Sequence, residues 1–513
     1  MQKDIEIKLA PENLDNKAVI LHTLAVELNI KPTSISEYRV LKRSIDARSR
    51  TVIYRLQVRV FIDEQAPEET PKVEYRNVAG KKPVIIVGAG PAGLFAALQC
   101  IQNGMKPIVL ERGKDVKQRR RDLAAINKEG LVNTESNYCY GEGGAGTYSD
   151  GKLYTRSNKR GDVNQVLEIF VQHGAKADIL IDARPHIGTN KLPQIITAIR
   201  ETILAAGGEV QFDRKVTDFI LSDGNIKGVV INYEQQLLAD AVILATGHSA
   251  RDMYELLHHK NILVEAKPFA LGVRIEHPQS IIDAAQYHCD IRSPFLPPAN
   301  YSLVEQVEDR GVFSFCMCPG GIIAPCATYK EEIVVNGWSP SRRNNPFANS
   351  GTVVQITLDD VPGTDPLRMM NFQAEIEKTA FQLGGGNLVA PAQRMIDFVE
   401  NRLSVDLPKN SYLPGTKSVM LRDTLPDFVF KSLQRALPKF GKKMKGYYTN
   451  EAILVGVESR SSSPVRIPRE KESFQHPQVQ GLFPCAEGAG YAGGIVSAAI
   501  DGINCANAVL KLG

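Results

Sequence analysis

Glycines spaced for phosphate binding stand near the front of the chain, between residues 84 and 113. Gly88, Gly90 and Gly93 follow an apolar run, 84–87, and open an apolar segment that we predict to be a helix. Gly88 permits a tight turn, Gly90 lets the backbone approach an anion, and Gly93 lets the helix pack closely on a strand. The free N–H groups and positive dipole end of such a helix bind the pyrophosphate of a dinucleotide.

A second apolar run, 108–110, predicts a strand that delivers Glu111 to the same place. Its carboxylate can accept hydrogen bonds from ribose hydroxyls. Strand, glycines, helix, strand and acid stand here in order, which is far more specific than an isolated glycine motif. That order argues against the alternative, a glycine-rich turn without function. The other predicted cofactor contacts of this segment are Pro91, Ala92 and Arg112.

The end of the chain has a matching pattern, GLFPCAEGAGYAGGIVSAAIDG at residues 481–502. An apolar strand, 482–486, precedes an acid, and a glycine pair opens a last helix to about residue 510. This arrangement resembles flavoproteins of the glutathione reductase type, and the resemblance implies FAD rather than NAD. It also implies that the helix N-terminus faces the flavin pyrimidine edge, where it would stabilise developing negative charge. The implied contacts are Glu487, Gly488, Gly493, Gly494 and Ile495.

Two internal segments complete the predicted cofactor site. The run 241–247, AVILATG, resembles the flavoprotein strand that turns beneath FAD, and residues 141–153, GEGGAGTYSDGKL, form a glycine-rich loop. We interpret this loop as wrapping the pyrophosphate or the flavin edge, with a plain surface loop as the alternative. The resemblance also implies a backbone contact from about residue 216 to the adenine. The contacts predicted here are Gly144, Gly146, Lys152, Leu153, Val216, Thr246 and Gly247.

Length and composition limit the class of protein. A chain of 513 residues predicts two or three domains, and 43% hydrophobic with 23% charged residues is ordinary for a soluble protein. Because there is no uninterrupted apolar run of membrane-spanning length and the first residues are charged, we expect neither a membrane span nor a signal peptide. Eight cysteines without a CxxC pair favour reduced thiols and a cytoplasmic location. The net charge of +4 is too small to indicate a partner.

Changes in pattern along the chain predict its domains. Residues 1–63 read as a small α+β module, 64–80 as an acidic linker, and 81–260 with 439–513 as one discontinuous FAD-binding domain. Residues 261–438 have short strands, many prolines and a helix at 367–383, so we predict an inserted cap that shapes the substrate pocket. The predicted fold is therefore α/β: a Rossmann-like, glutathione-reductase-like FAD domain, an inserted α+β cap and an N-terminal α+β module.

The predicted module carries a concentration of positive charge. Between Arg39 and Arg59 there are seven Lys or Arg residues and one acid, Asp46. Residues 52, 54, 56, 58 and 60 alternate onto one apolar face, so the basic residues between them face the other way. A solvated sheet face is our interpretation, with RNA or an anionic partner as the alternative, because no aromatic residues are interleaved with the charges.

Several blocks carry a resemblance over nearly the whole chain. They are SIDAR at 44–48, TGHSARD at 246–252, RIEHPQ at 274–279, FCMCPGG at 315–321 and GVESRSSSPVRIPR at 456–469. In these blocks the chain resembles a bacterial family of FAD-dependent dehydrogenases whose substrate is unassigned. The resemblance implies noncovalently bound FAD and redox activity.

Two residues are candidates for catalysis. His248 follows the predicted flavin-proximal turn and could transfer a proton near neutral pH, although a hydrogen-bonded supporting role is the alternative. Arg460, with Ser461–Ser463, Arg466 and Arg469, could bind a carboxylate or phosphate. Its alternative is to order a loop by pairing with Glu458 or Glu470.

No metal site is predicted. The CxC pair Cys316 and Cys318 is interpreted as structural, with a redox role as the alternative, because two-residue spacing strains a disulfide and leaves a metal site incomplete.

The sequence gives less information about which molecule reduces the flavin. No second glycine fingerprint follows a strand, and the CxxxxC pair of the disulfide reductases is missing. NAD(P)H would then dock transiently in the cap, or the substrate would donate hydride itself. We predict an FAD-dependent dehydrogenase or reductase acting on a small anionic organic substrate. A flavin monooxygenase is the enzymatic alternative, and a flavoprotein binding RNA or a protein through the basic module is the non-enzymatic one.

Overall fold

The N-terminal segment forms a three-stranded antiparallel sheet under one helix. The computed structural model describes residues 1–67, 72–155 and 161–512, so part of the predicted linker, 68–71, lies outside the described residues. The strand order is β1-β3-β2. Alternate β3 side chains (54, 56, 58 and 60) are buried, as the period-2 pattern predicted. The elements are β1 (Gln2–Leu9), α1 (Lys17–Leu28), β2 (Ile35–Asp46) and β3 (Ile53–Ile62).

The arginines of this sheet are paired with acids. Arg59 Nε lies 2.8 Å from an Asp4 oxygen on the neighbouring strand, and Arg55 Nη2 lies 2.6 Å from Glu6. Arg43 reaches beyond the module, where its Nε donates to Asp182 Oδ1 at 2.7 Å. This pairing favours the solvated sheet face over the nucleic-acid alternative.

The second segment builds a five-stranded parallel sheet of order β22-β10-β4-β5-β6, in which β22 (Leu482–Pro484) comes from near the end of the chain. Its central strands are apolar on both sides because helices cover one face, and a small antiparallel sheet with one helix covers the other. Up to residue 259 the elements are β4 (Pro83–Val87), α2 (Pro91–Gln102), β5 (Lys106–Leu110), α3 (Val116–Glu129), α4 (Val163–Gln172), α5 (Leu192–Ala205), β6 (Glu209–Gln211), an antiparallel sheet of β7 (Val216–Ser222), β8 (Asn225–Ile231) and β9 (Gln235–Leu238), β10 (Val242–Leu244) and α6 (Arg251–His259).

The third segment is dominated by a seven-stranded mixed sheet of order β13-β14-β17-β12-β20-β18-β19. Two-stranded sheets, β11 with β21 and β15 with β16, flank it. Its elements are β11 (Glu265–Ala266), β12 (Phe269–Pro278), α7 (Gln279–Tyr287), β13 (Val304–Val307), β14 (Arg310–Cys318), β15 (Ile322–Pro325), β16 (Val335–Trp338), β17 (Phe347–Ile356), α8 (Arg368–Gly384), β18 (Ala390–Arg394), α9 (Met395–Val399), β19 (Thr416–Ser418), α10 (Asp427–Lys443), β20 (Ile453–Glu458) and β21 (Val465–Arg466).

The predicted end of the cap, residue 438, does not coincide with the end of this sheet in the chain. Residue 438 lies inside α10, and β20, which follows it, pairs with both β12 and β18. The sheet therefore extends to Glu458. Sequence could not place this boundary, because a short apolar run such as 453–458 reads alike in a parallel and an antiparallel sheet.

The chain then returns to the parallel sheet. Strand β22 (Leu482–Pro484) pairs with β10, and the last helix, α11 (Ile495–Val509), packs against α2. Within the described residues, Ile495–Leu512 alone has the length and composition of a membrane span, but 67% of that stretch is buried inside the protein. A core helix has the same properties.

Candidate flavin site

The fingerprint glycines lie at the carboxyl edge of the parallel sheet and differ in their surroundings. A Cβ on Gly93 would stand 1.9 Å from the Gly88 carbonyl oxygen. The helix α2 can therefore pack closely against the end of β4 only because Gly93 has no side chain. A Cβ on Gly90 would meet nothing closer than Gly144 Cα, at 3.9 Å. Gly90 therefore borders open space at the start of α2, where the approach of an anion requires it.

The glycine-rich loop 141–153 joins the two helices that begin at this edge. The Gly143 N–H donates to the Ala89 carbonyl at 2.8 Å. A Cβ on Gly146 would lie 3.2 Å from Ile495 Cγ1 and 3.3 Å from Pro91 Cγ. The loop thus brings the first turn of α2 against the first turn of α11, which are four hundred residues apart in sequence.

Glu111 is 5% exposed and has a different set of partners from the predicted ribose hydroxyls. Its carboxylate accepts N–H groups of Ala89, Gly113 and Gly141, each at 2.9 Å. Those three groups belong to three separate loops, so the carboxylate fastens the loops that border Gly90 to one another. A carboxylate has about four acceptor positions, which leaves one for a further donor.

Two turns from distant parts of the chain meet beside this edge. A Cβ on Gly488 would stand 2.7 Å from the Gly247 carbonyl oxygen. His248 Nδ1 and Glu487 Oε1 are 3.2 Å apart, without the alignment of a hydrogen bond. The hydroxyl of Thr246 is buried and has no partner among the described residues. The turn therefore presents unsatisfied polar atoms to whatever occupies the site.

The N-terminus of α11 supplies the other donors. Gly494, at φ 104, precedes the helix, and no side chain in the described part of the chain caps it. The approach to this helix is held by Asp501, whose Oδ2 accepts the Ala486 N–H at 2.7 Å and a bond from Arg469 at 2.8 Å. Uncapped N–H groups at a fixed helix start bind negative charge.

Some predicted cofactor contacts are occupied by protein groups. Arg112 is bound by Glu135 at 2.7 Å and Asp252 at 2.9 Å, and its guanidinium stacks 4.2 Å from the Tyr140 ring centre. Leu153 is fully buried in the core. The structure places three more predicted cofactor contacts as follows: Ala92 is buried in the first turn of α2, Val216 is buried at the start of β7, and Lys152 lies 3.6 Å from Asp150.

Arg460 lies in a buried cluster of four charges. Its Nη2 donates to Glu332 at 3.1 Å and to Glu377 at 2.9 Å, and its Nη1 donates to Thr328 at 2.7 Å. Arg251 binds the same two carboxylates, at 2.5 Å and 2.7 Å. These contacts favour the structural alternative for Arg460, although its partners are not the predicted Glu458 and Glu470.

Sequence reasoning missed both acids of this four-charge cluster, and no local signal marks them. Burial and the neighbouring Glu377 raise the pKa of Glu332, whereas Arg251 and Arg460 lower the pKa of Glu377 against the effect of burial. The cluster thus joins Arg251, at the start of α6, to Glu377 of α8, to Glu332 between β15 and β16, and to Arg460 just after β20. Its ion pairs are formed between segments far apart in sequence.

The comparison with known families agrees with this geometry. Residues 83–119 match the FAD binding domain family, and residues 268–461 match the family described as FAD-dependent protein, C-terminal domain-like. Residues 1–61 match a domain of unknown function. FAD is the cofactor that these matches indicate, and the glycine cradle at Gly90, the uncapped start of α11 and the orphaned Thr246 hydroxyl fit it.

The protein is an FAD-dependent oxidoreductase of α/β architecture. It is 41% identical over 517 residues to an uncharacterised protein of Clostridium beijerinckii. The alignment covers 97% of this chain and 96% of the clostridial one. The chain belongs to the family of that clostridial protein.

More distant similarities are partial. An FAD-dependent monooxygenase of Hypoxylon pulicicidum is 27% identical over 42% of this chain and 45% of its own. A thiamine thiazole synthase of Methanococcus maripaludis is 26% identical over 34% and 58%. Among solved structures, the flavin-dependent brominase Bmp2 superposes over 84% of this chain and 80% of its own, with 12% identity and a TM-score of 0.36.

Proposed function

We propose that the protein is a dehydrogenase or reductase that transfers hydride between FAD and a small anionic organic substrate. The observation that carries the proposal is the convergence of uncapped backbone donors on the open space at Gly90, with a histidine and a carboxylate 3.2 Å apart beside it. Bound FAD supplies hydride chemistry. The protein supplies orientation and a group that can exchange a proton near neutral pH.

His248 and Glu487 are the proposed proton-exchanging pair. The His248 side chain is 12% exposed, so one edge of the ring is accessible. We infer that Glu487 orients the ring by accepting from Nδ1, which leaves Nε2 to exchange a proton with the substrate. Hydrogen bonds of this kind are often long before substrate binds.

Arg466 and Lys267 replace Arg460 as the proposed anion-binding groups. Both border the turn 487–490, because a Cβ on Gly490 would lie 3.1 Å from Lys267 Cδ and 3.4 Å from Arg466 Cα. Arg466 is exposed, whereas Arg460 is buried in its ion-pair cluster. Burial and the charge of Arg466 lower the pKa of Lys267. Two cations at one turn give a small anion a binding place.

Anaerobic mixing with NADH, NADPH or candidate anionic substrates tests the proposal. We expect one of these reductants to bleach the flavin, and oxygen admitted afterwards to restore the colour without hydroxylating the substrate. His248→Gln should slow bleaching by about 10²-fold or more while the flavin content is unchanged. His288→Gln is the matched control, since His288 is exposed and its ring bonds the Ala47 carbonyl. Bleaching of His248→Gln at the wild-type rate would contradict the assigned role.

The oxygen step of this experiment tests the monooxygenase alternative, and a separate RNA-retention assay tests the RNA-binding one. Hydroxylated product after oxygen is added would support a monooxygenase, the activity named for the Hypoxylon relative. The RNA-binding alternative requires salt-dependent retention of the protein on RNA. Given the paired arginines of the N-terminal sheet, we expect no retention at physiological salt.

A further inference from the structure

A bulge in β14 places two cysteines together at the end of that strand. Phe315 pairs with Gly351 and Cys318 with Asn349, so two residues of β14 stand opposite one residue of β17. Cys316 has a left-handed backbone, φ 46, a conformation that favours glycine. A bulge redirects side chains, and a non-glycine residue held in this region is frequently functional.

The thiol of Cys316 has a cation and a second thiol beside it. Lys152 Nζ lies 3.6 Å from Cys316 Sγ. Arg274 Nη2 donates to the Cys316 carbonyl oxygen at 2.8 Å, and Cys318 Sγ lies 3.3 Å from the same oxygen. A hydrogen bond from Cys318, then the charges of Lys152 and Arg274, hold the pKa of the Cys316 thiol well below its ordinary value despite burial.

Polar groups without partners lie next to this pair. Asp150 is 1% exposed and lies 3.6 Å from Lys152, and its Oδ2 accepts a bond from Arg343 at 2.7 Å. Within the ranges that the structure describes, Asp150 Oδ1 and Arg343 Nε have no hydrogen-bond partner. A ligand with both donor and acceptor groups would satisfy them.

We propose that Cys316 and Cys318 are a redox dithiol that exchanges with small polar disulfides, with Cys316 as the attacking thiolate and Cys318 as the resolving thiol. The Cys316 thiolate attacks one sulfur of the substrate, breaking its S–S bond and expelling one thiolate. Cys318 then attacks Cys316 Sγ, its proton passing to the second leaving sulfur. The protein dithiol is oxidised to a disulfide, and one substrate disulfide is reduced to a thiolate and a thiol.

A second cysteine pair in the molecule provides the control. Cys485 and Cys505 lie together with Asp501, and both are fully buried. The hydrogen bond with Cys505 and burial raise the pKa of Cys485 well above its ordinary value. Both Asp501 oxygens bind Arg469, so this trio is not free to hold a metal ion. We expect these thiols to remain reduced when the first pair reacts, because the thiolate is the reactive form.

The test treats the FAD-loaded protein with glutathione disulfide, alkylates the remaining thiols and maps them by mass spectrometry. We expect an intramolecular Cys316–Cys318 disulfide in the wild type, with Cys485 and Cys505 alkylated only after denaturation. Cys318→Ser should instead accumulate a glutathione adduct on Cys316, and Cys316→Ser should form neither product. Lys152→Met should slow adduct formation in Cys318→Ser at pH 6 by about tenfold.

If a variant misfolds, alkylation rates measured on the wild-type protein still decide the question. In that protein, iodoacetamide should modify Cys316 faster than Cys139, which is buried to a similar degree. No disulfide, together with equal alkylation of these two thiols, would overturn the proposal. Flavin bleaching by NAD(P)H is a separate measurement, so failure of the hydride-transfer proposal would leave this result unaffected.

Discussion

The flavin site and the contact between α6 and the mixed sheet handle charge in opposite ways. Around Gly90 the protein offers backbone N–H groups and open space, and the carboxylate of Glu111 serves to hold three loops. Around Glu377 of α8 it buries two arginines and two glutamates against one another. The first arrangement is left open for a charged ligand, whereas the second is already complete.

The contrast between the two regions shows which cations are free to bind a ligand. A buried guanidinium with two carboxylate partners stabilises the fold only as part of its set, because removing it leaves uncompensated charge in a low-dielectric interior. Arg460 is such a residue. An exposed cation beside the flavin site, such as Arg466, can exchange water for substrate.

Breaking the buried cluster should have the largest effect on stability. In Arg460→Ala only Arg251 remains to compensate Glu332 and Glu377, so we expect the free energy of unfolding to fall by about 3–5 kcal/mol. Denaturant titration measures this. The control is Arg435→Ala, whose partner Glu308 is exposed, and no detectable change is expected there. Unchanged stability with a weakened response of the flavin spectrum to small carboxylates would return Arg460 to the substrate pocket.

A pH titration sharpens the same contrast within the mixed sheet. Burial raises the pKa of Glu276 to about 7, although hydrogen bonds from Ser411 oppose the shift. A folded pKa above the unfolded value means that the stabilising contribution is present below about pH 4.5 and is lost as pH rises through 7. Between pH 5 and 8 the wild type should therefore lose up to about 3 kcal/mol relative to Glu276→Gln. Parallel thermal-stability curves for the two proteins over that range would contradict this.

Glu111→Gln tests which task this carboxylate performs. Glutamine replaces one carboxylate oxygen with an amide NH2 group, which then faces at least one of these three N–H donors, so we expect the FAD-free protein to lose about 1.5–3 kcal/mol of unfolding free energy. FAD binding should weaken as the loops loosen. Denaturant titration of the FAD-free protein separates the two effects. Full apoprotein stability with lost FAD binding would restore ribose as its main partner.

The flavin site could be predicted in part because its parts are local. Gly88, Gly90 and Gly93 stand within one short segment, and the strand–helix pattern around them fixes their place. The partners of Arg112 and Arg460 could not be predicted, since Asp252, Glu332 and Glu377 reach them only through the tertiary fold. Likewise, sequence marked His248 and Glu487 separately, but their proximity to each other emerged only from the meeting of two turns.

The limits of the mixed sheet show the same boundary between local and long-range information. The helix predicted at 367–383 agrees closely with α8, because a 3.6-residue period spans many residues. Strand β20 is six residues long, and only its pairing with β12 and β18 assigns it to this sheet.

Flavin content after Gly90→Val tests whether the pyrophosphate of FAD binds at Gly90. A side chain at this position enters the space left for the pyrophosphate without a close protein contact, so FAD affinity should fall by about tenfold to a hundredfold while apoprotein stability is kept. FAD released by denaturation, counted per chain, should be near stoichiometric in the wild type and strongly reduced in the variant. Equal flavin in both proteins, or flavin that stays on the denatured wild-type chain, would contradict a noncovalent site at Gly90.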